Sequence, residues 1–279
     1  MIKIYNEDCF DTMNRFERNS IQTILTSPPY CTSNRAGKKS TVTLTTSTTK
    51  YYPSLRYDVF SDNMTPDEYV SWTIRLFNEF DRILAKNGCV IYNISYSSDN
   101  RDTMFRVISH IIEETNFSIM DMITWKKSTA LPNNTSSNKL TRICEPVFVF
   151  ARKSEIDTFF CNKKVVSVRE KTGQKMYENI YNFIEAKNND GSCKLNKATY
   201  STDLCDYLLA LYGKPLTICY DPFMGTGTTG NACIPLGIDC YGSELSPAQC
   251  DYAKERLFKR MWNVEVITPT KASNNDIQY

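Results

Sequence analysis

The chain of 279 residues has a single histidine, His110, and none of its eleven cysteines forms a C-x-x-C pair. A structural zinc site usually draws on closely spaced cysteine and histidine ligands, so no metal is expected. One histidine also disfavours Ser-His and Cys-His nucleophilic catalysis. Cysteines spread through a large chain are typical of reduced thiols, and we expect a cytoplasmic protein.

Long hydrophobic runs and an excess of one charge are also lacking. No apolar stretch approaches the roughly 18 residues that a membrane-spanning helix needs. Acidic residues at Glu7, Asp8 and Asp11 interrupt the region that a signal peptide would occupy, so neither a membrane nor a secreted protein is expected. Because 33 basic and 31 acidic residues leave a net charge of +2, any nucleic-acid site must be a local basic patch.

Predicted strands and helices alternate along the chain, which favours a doubly wound α/β fold. A helix is predicted to begin at Thr65-Pro66 and to end at Asn87-Gly88. The predicted strands are 2–5, 21–26, 89–93, 118–125, 146–151, 216–220 and 239–243, and further helices are predicted at 104–114, 203–212, 228–236 and 246–262.

Two polar, basic segments, residues 31–60 and 154–198, interrupt this alternation. Loops longer than about 15 residues inside compact domains tend to be functional or disordered. For each segment a solvated insertion without a function is the alternative.

A glycine-rich segment follows the strand 216–220 and opens a predicted helix. Glycines let the backbone turn sharply and approach a ligand, and a helix amino end offers N–H groups to an anion. Glu244 ends the next strand, where its carboxylate can accept hydrogen bonds from ribose hydroxyls. The spacing satisfies G-x-G-x-x-G, so a nicotinamide cofactor and another adenosine-bearing cofactor both stay open. The residues concerned are Asp221, Pro222, Phe223, Gly225, Gly227 and Thr228.

The late position of this segment disfavours an ordinary dehydrogenase. The fingerprint usually belongs to the first strand of its fold, with the other strands following it. Residues 245–279 have room for little beyond one helix and a tail. The other strands must therefore come from earlier in the chain, which predicts a permuted connectivity.

The motif Ser27-Pro28-Pro29-Tyr30 directly follows the predicted strand 21–26. Because ligands of open α/β sheets bind outside the carboxyl ends of strands, this motif and the glycine-rich segment are predicted to share one cleft. Consecutive prolines supply no N–H and keep the path extended, which leaves the Ser27 hydroxyl and the Pro28 carbonyl as acceptors. This array suits a planar ring with an exocyclic amino group stacked on Tyr30, and such stacking contributes roughly 1–3 kcal/mol. A Pro-Pro turn without a function is the alternative.

The two motifs, in this order, resemble those of the β group of DNA amino-methyltransferases, which use S-adenosylmethionine. The resemblance covers most of the chain. It implies a seven-stranded, mostly parallel sheet of the methyltransferase type with one antiparallel strand, circularly permuted so that the catalytic motif precedes the cofactor motif. It also implies a catalytic domain of residues 1–153 and 199–279, with 31–60 as a DNA-proximal insertion and 154–198 as a target-recognition region.

The resemblance also implies residue roles. Asp221 would face the ammonium group of the cofactor, Glu244 would take the ribose hydroxyls, and Asp8 resembles the acidic turn beside the adenine. Where the family often has His-Pro-x-Pro-Phe-Pro, residues 197–202 read Lys-Ala-Thr-Tyr-Ser-Thr. The implied cofactor-binding set is Asp8, Asp221, Pro222, Phe223, Gly225, Gly227, Thr228 and Glu244, and the implied catalytic set is Ser27, Pro28, Pro29 and Tyr30.

Serine before Pro-Pro-Tyr is common in the cytosine-N4 enzymes of this family, and aspartate or asparagine in the adenine-N6 enzymes. Ser27 thus predicts methylation of a flipped cytosine at N4, in double-stranded DNA, with adenine N6 as the alternative. A nicotinamide-dependent oxidoreductase, an RNA or protein-amide methyltransferase and an inactive DNA-binding relative stay open. Lys38, Lys39, Lys163 and Lys164 are predicted to contact phosphates, and a cognate restriction endonuclease and a homodimer are candidate partners.

Overall fold

The structure, a computed structural model, describes residues 1–31, 64–96, 100–130, 132–133, 137–190, 199–260 and 263–269. Lys38, Lys39 and nearly all of the predicted insertion 31–60 lie outside these ranges. Within the ranges, no helix combines the length and the apolar character needed to cross a membrane.

Helices and strands alternate through the described residues, as the sequence predicts. The strands are β1 (Ile2–Tyr5), β2 (Ile21–Thr26), β3 (Leu84–Asn93), β4 (Phe117–Lys127), β5 (Cys144–Arg152), β6 (Val165–Val168), β7 (Lys175–Tyr177), β8 (Phe183–Ala186), β9 (Ile218–Asp221), β10 (Asp239–Ser243) and β11 (Val264–Ile267). The helices are α1 (Cys9–Asn14), α2 (Pro66–Ile83), α3 (Thr103–Glu114), α4 (Thr202–Tyr212), α5 (Thr228–Cys233) and α6 (Pro247–Phe258), with 3-10 turns at Lys153–Thr158 and Ile234–Leu236.

The main sheet has nine strands in the order β11-β1-β10-β9-β2-β3-β5-β4-β8. Strand β5 runs antiparallel to β3 and β4, and the other neighbours are parallel, which confirms a mostly parallel sheet with one antiparallel strand. The prediction of seven strands is wrong, since β8 and β11 extend the two edges. Both are four-residue strands with partly exposed side chains, so neither carries the apolar run that marks a buried strand.

Both faces of the sheet are covered by helices. On β2, Ile24 packs with residues of α1, α2 and α3, whereas the next residue, Leu25, packs with residues of α4, α5 and α6. The same alternation holds on β9, where Tyr220 and Cys219 face opposite layers. Neighbouring residues of a strand point to opposite faces, so these runs of consecutive apolar residues fill two cores.

Helix α2 begins as the sequence predicts. Thr65 accepts a hydrogen bond from the Glu68 amide, and the Glu68 carboxylate accepts one from the Thr65 amide, which completes a capping box. The predicted end at Asn87-Gly88 is wrong, because α2 ends at Ile83 and β3 follows directly. The Arg152 guanidinium donates to the Leu84 carbonyl at this junction, a contact with a distant strand that local sequence does not reveal.

The strand topology predicts a crevice between β9 and β2, which are neighbours in the sheet. From β9 the chain passes through α5 to β10 on one side, and from β2 it passes through α2 to β3 on the other. Helices α5 and α2 lie on opposite faces of the sheet, so the direction of the connections changes between β9 and β2. Such a switch point is where open α/β sheets bind ligands.

Candidate active site

The last residues of β2 and β9 are joined across this crevice. The Thr26 hydroxyl donates to Asp221 Oδ1 over 2.9 Å, and both side chains are buried. Ser27-Pro28-Pro29-Tyr30 continues from Thr26, and the glycine-rich segment continues from Asp221. The structure therefore brings the two predicted motifs together at the carboxyl edge of the sheet.

The Asp221 carboxylate is only 1% exposed and accepts hydrogen bonds from four groups within the protein. The donors are the Thr26 hydroxyl, the Phe223 amide at 3.0 Å, the Thr229 hydroxyl at 2.5 Å and the Tyr200 hydroxyl at 3.1 Å. Burial raises the pKa of this carboxyl above its ordinary value, although the donors oppose that effect. A carboxylate has about four acceptor positions, so these contacts hold the loop in place, and a direct contact between Asp221 and an ammonium group stays a prediction.

The loop after Asp221 turns sharply at two glycines. Gly225 has a φ of 52° and Gly227 a φ of 81°, values in the left-handed region that favours glycine. A side chain at Gly227 would also approach Leu257 of α6 to within 3.0 Å. From Asp221 to Gly230 every residue except Phe223 is buried, so the path of the loop is set by packing. Pro222 and Thr228 thus lie inside this turn.

Glu244 holds the same loop from the end of β10. Its Oε2 accepts from the Gly225 amide over 2.9 Å, and its Oε1 accepts from the Ser246 amide over 2.8 Å. The Glu244 side chain is partly exposed. Asp8 is exposed and caps α1 by accepting from the Phe10 amide. The donor and acceptor chemistry at this edge fits the ribose hydroxyls and the adenine of an adenosine-bearing cofactor.

The serine-proline motif is held by hydrogen bonds on both of its sides. The Tyr69 hydroxyl donates to the Pro29 carbonyl over 2.6 Å, and both prolines are buried. The Ser27 and Tyr30 hydroxyls lie 2.8 Å apart, and the Tyr30 hydroxyl donates to Asn93 Oδ1 over 2.8 Å. Ser27 and Tyr30 are partly exposed, whereas the two prolines between them are buried, so packing fixes the backbone of the motif.

Three residues at the site are missing from the sequence prediction. Asn93 ends β3, and a polar residue at the carboxyl end of an apolar strand is the signal that could have identified it. Tyr200 lies in the segment where the chain departs from the family pattern, and its hydroxyl contacts that of Thr229 at 2.5 Å. Arg256 donates to the Thr226 carbonyl and the Thr228 hydroxyl, a contact between α6 and the loop that sequence patterns do not predict.

Most described basic residues of the predicted target-recognition region lie in or next to a separate hairpin, whereas Lys187 follows β8. Strands β6 and β7 pair only with each other in the described part of the chain, and their side chains are largely exposed. Lys163 and Lys164 precede β6, and the first is partly exposed and the second exposed. Strand β8 of the same region joins the main sheet beside β4. Across the described ranges, no cluster of three or more His, Cys, Asp or Glu residues could hold a metal ion.

Residues 21–255 match the family model of the N6/N4 DNA methylases, whose description is "DNA methylase". The chain belongs to this family. The match includes both the serine-proline motif and the glycine-rich segment. The alternative prediction of a nicotinamide-dependent oxidoreductase is left without support.

Individual relatives agree with the family match. M.MwoI, a type II methyltransferase of Methanothermobacter wolfeii, is 25% identical over 91% of this chain, which spans 33% of the length of that protein. The solved structure of PvuII DNA methyltransferase, described as cytosine-N4-specific, superposes with a TM-score of 0.64 at 16% identity, and the match covers 94% of this chain and 93% of that one. That of M1.HpyAVI in complex with S-adenosylmethionine gives a TM-score of 0.57 at 20% identity, covering 92% and 99%.

Proposed function

We propose that the protein transfers a methyl group from S-adenosylmethionine to the exocyclic amino nitrogen N4 of a cytosine flipped out of double-stranded DNA. The observation that carries the proposal is the Thr26–Asp221 hydrogen bond, because it sets the serine-proline motif beside the glycine-rich loop. Membership of the N6/N4 DNA methylase family supports the reaction class.

The cofactor fits the loop side of the crevice. Glu244 would hold the ribose hydroxyls, Phe223 and Asp8 would border the adenine, and the turn at Gly225 and Gly227 would let the backbone approach. Asp221 would act on the cofactor through the shape of this loop. When bound, S-adenosylmethionine supplies an electrophilic methyl group on a sulfonium.

The motif side supplies acceptors for the target base. An exocyclic amino nitrogen is a poor nucleophile because its lone pair is delocalised into the ring. Hydrogen bonds from its two N–H groups to the Ser27 hydroxyl oxygen and the Pro28 carbonyl favour a more tetrahedral nitrogen, whose lone pair is then available. Positioning supplies much of the rate, and stabilisation of the developing cationic amine supplies more. The methylated amine then loses a proton, with water as the final acceptor.

The base must leave the duplex to reach this crevice, at a cost of a few kcal/mol of unstacking. The partly exposed Tyr30 ring offers a stacking surface that recovers roughly 1–3 kcal/mol.

Serine at position 27 favours cytosine N4 over adenine N6, the alternative target within the family. Plasmid DNA methylated with tritiated cofactor and digested to nucleosides distinguishes them. N4-methylcytosine is expected, whereas N6-methyladenine alone would establish the alternative. RNA and protein substrates in the same assay should stay unlabelled.

We propose residues 154–198 as the target-recognition region, with the β6–β7 hairpin presenting basic side chains to DNA. Lys163 and Lys164, together with Lys38 and Lys39 of the insertion 31–60, would contact phosphates, because such contacts position a protein on a duplex. The circular permutation, a cognate restriction endonuclease and a homodimer stay predictions.

A further inference from the structure

The amide of Asn93 has one orientation that satisfies both of its neighbours. Its Nδ2 donates to the Pro146 carbonyl over 3.1 Å, across the β3–β5 pairing. A flipped amide would set Oδ1 against that carbonyl, and two acceptors cannot bond to each other. Asn93 is 2% exposed, so water offers little compensation for the flipped form. Its Oδ1 therefore faces Tyr30 and can only accept.

This orientation determines the direction of the next two hydrogen bonds. Because Oδ1 of Asn93 accepts, the Tyr30 hydroxyl must donate its single proton to it over 2.8 Å. The Tyr30 oxygen then receives the hydroxyl proton of Ser27 over 2.8 Å. What Ser27 presents to the crevice is consequently lone pairs and not a proton.

We infer that Asn93 is a positioning residue that makes Ser27 an obligate acceptor and so selects bases that carry an amino group over bases that carry an oxo group. This rests on the proposed function and extends it to a residue behind the motif. An amino group of cytosine or adenine donates to the Ser27 oxygen. The oxo group of thymine, uracil or guanine would instead place its own lone pairs against those of the Ser27 oxygen. Neither oxygen could then form a hydrogen bond in this desolvated position, which disfavours such bases.

The inference is tested by the rate of methyl transfer to unmodified plasmid DNA in wild type, Asn93→Ala, Tyr30→Phe and the double variant. Each single change lets the Ser27 proton turn into the crevice, so each should lower kcat about tenfold, the value of one hydrogen bond. The KM for S-adenosylmethionine should stay unchanged, since Asn93 and Tyr30 lie on the motif side. The double variant should also be about tenfold slower, because both changes break one relay.

Tyr92→Phe is the matched control. It removes a buried hydroxyl from the preceding residue of β3, whose ring packs in the core beneath α2, and it should retain the wild-type kcat. Tyr30→Phe keeps the contact between Asn93 and Pro146, so it tests the relay even if Asn93→Ala unfolds.

A double variant about a hundredfold slower, or Tyr30→Phe with the wild-type kcat, would overturn the inference while wild-type activity still supports the proposed function. Failure of the proposed function would appear in the wild type itself, as no transfer to DNA, and would overturn both.

Discussion

The two sides of the crevice between β9 and β2 differ in how far the protein satisfies its own polar groups. On the cofactor side, the Asp221 carboxylate is buried and accepts from four donors of the chain, and both oxygens of Glu244 accept backbone amides. On the side that we propose receives the target base, Ser27 and Tyr30 are partly exposed and are linked to Asn93 by hydrogen bonds.

The difference separates two tasks. A loop whose geometry is set by internal hydrogen bonds is ready for its cofactor and loses little entropy on binding. A target base arrives from a duplex and must be accepted by a few correctly directed atoms, while affinity for DNA comes from phosphate contacts elsewhere. We therefore expect substitutions on the two sides to have different effects. Each should change mainly one of four quantities: the rate of methyl transfer, the stability, the affinity for the cofactor or the affinity for DNA.

The largest effect is expected for Ser27→Ala on the target side. Methyl transfer should fall to background, because the acceptor for the amino group is lost, whereas the Kd for S-adenosylmethionine should stay within twofold, as measured by calorimetry. Ser20→Ala, which loses only a hydroxyl bond to the Glu17 carbonyl, is the control and should behave as wild type. Near-normal turnover of Ser27→Ala would remove this residue from the mechanism.

The next effect is on stability, through Asp221→Ala. Four donors, three of them buried, would lose their shared acceptor, and we expect the free energy of unfolding to fall by about 3 kcal/mol or more, measured in urea. Asp251→Ala removes an exposed aspartate of α6 and should change it by about 0.5 kcal/mol or less. Equal stability of the two variants would contradict the view that Asp221 organises the loop.

Cofactor affinity should respond to Glu244→Gln. The glutamine amide would face one of the backbone amides at Gly225 or Ser246 with a donor, and charge-assisted bonds to the ribose would be lost. We expect S-adenosylmethionine to bind about tenfold to a hundredfold more weakly, in titration calorimetry. Glu255→Gln, at an exposed position on α6, is the control. An unchanged Kd would place the ribose elsewhere.

The smallest effect is expected at the hairpin, from the double change Lys163→Gln and Lys164→Gln. Each phosphate contact contributes about 0.9 to the slope of log K against log salt concentration, so the slope should decrease by up to about 1.8. Lys254→Gln with Lys259→Gln removes the same charge from α6 and the residue that follows it, and should leave the slope unchanged. Identical slopes for both double variants would mean that the hairpin lysines do not contact DNA.

Local patterns predicted several elements and both motifs. Strand 2–5 and strand 239–243 have the predicted bounds, and α2 begins at its capping box. The two edge strands β8 and β11 were missed because four-residue strands with exposed side chains resemble loops. The predicted strand 216–220 is instead 218–221, since Leu216 has a φ of 61° and cannot continue a strand.

The sequence by itself determined the chemistry on each side of the crevice, because glycines, prolines and capping residues act on their own backbone within a few positions. Which side chains complete that chemistry was decided by the tertiary structure alone. Thr26 and Asp221 are 195 positions apart, and Tyr30 and Asn93 are 63 apart, and strand order alone brings them within hydrogen-bonding distance. A hydrogen bond needs about 3 Å and one direction, and no local pattern encodes either across such separations.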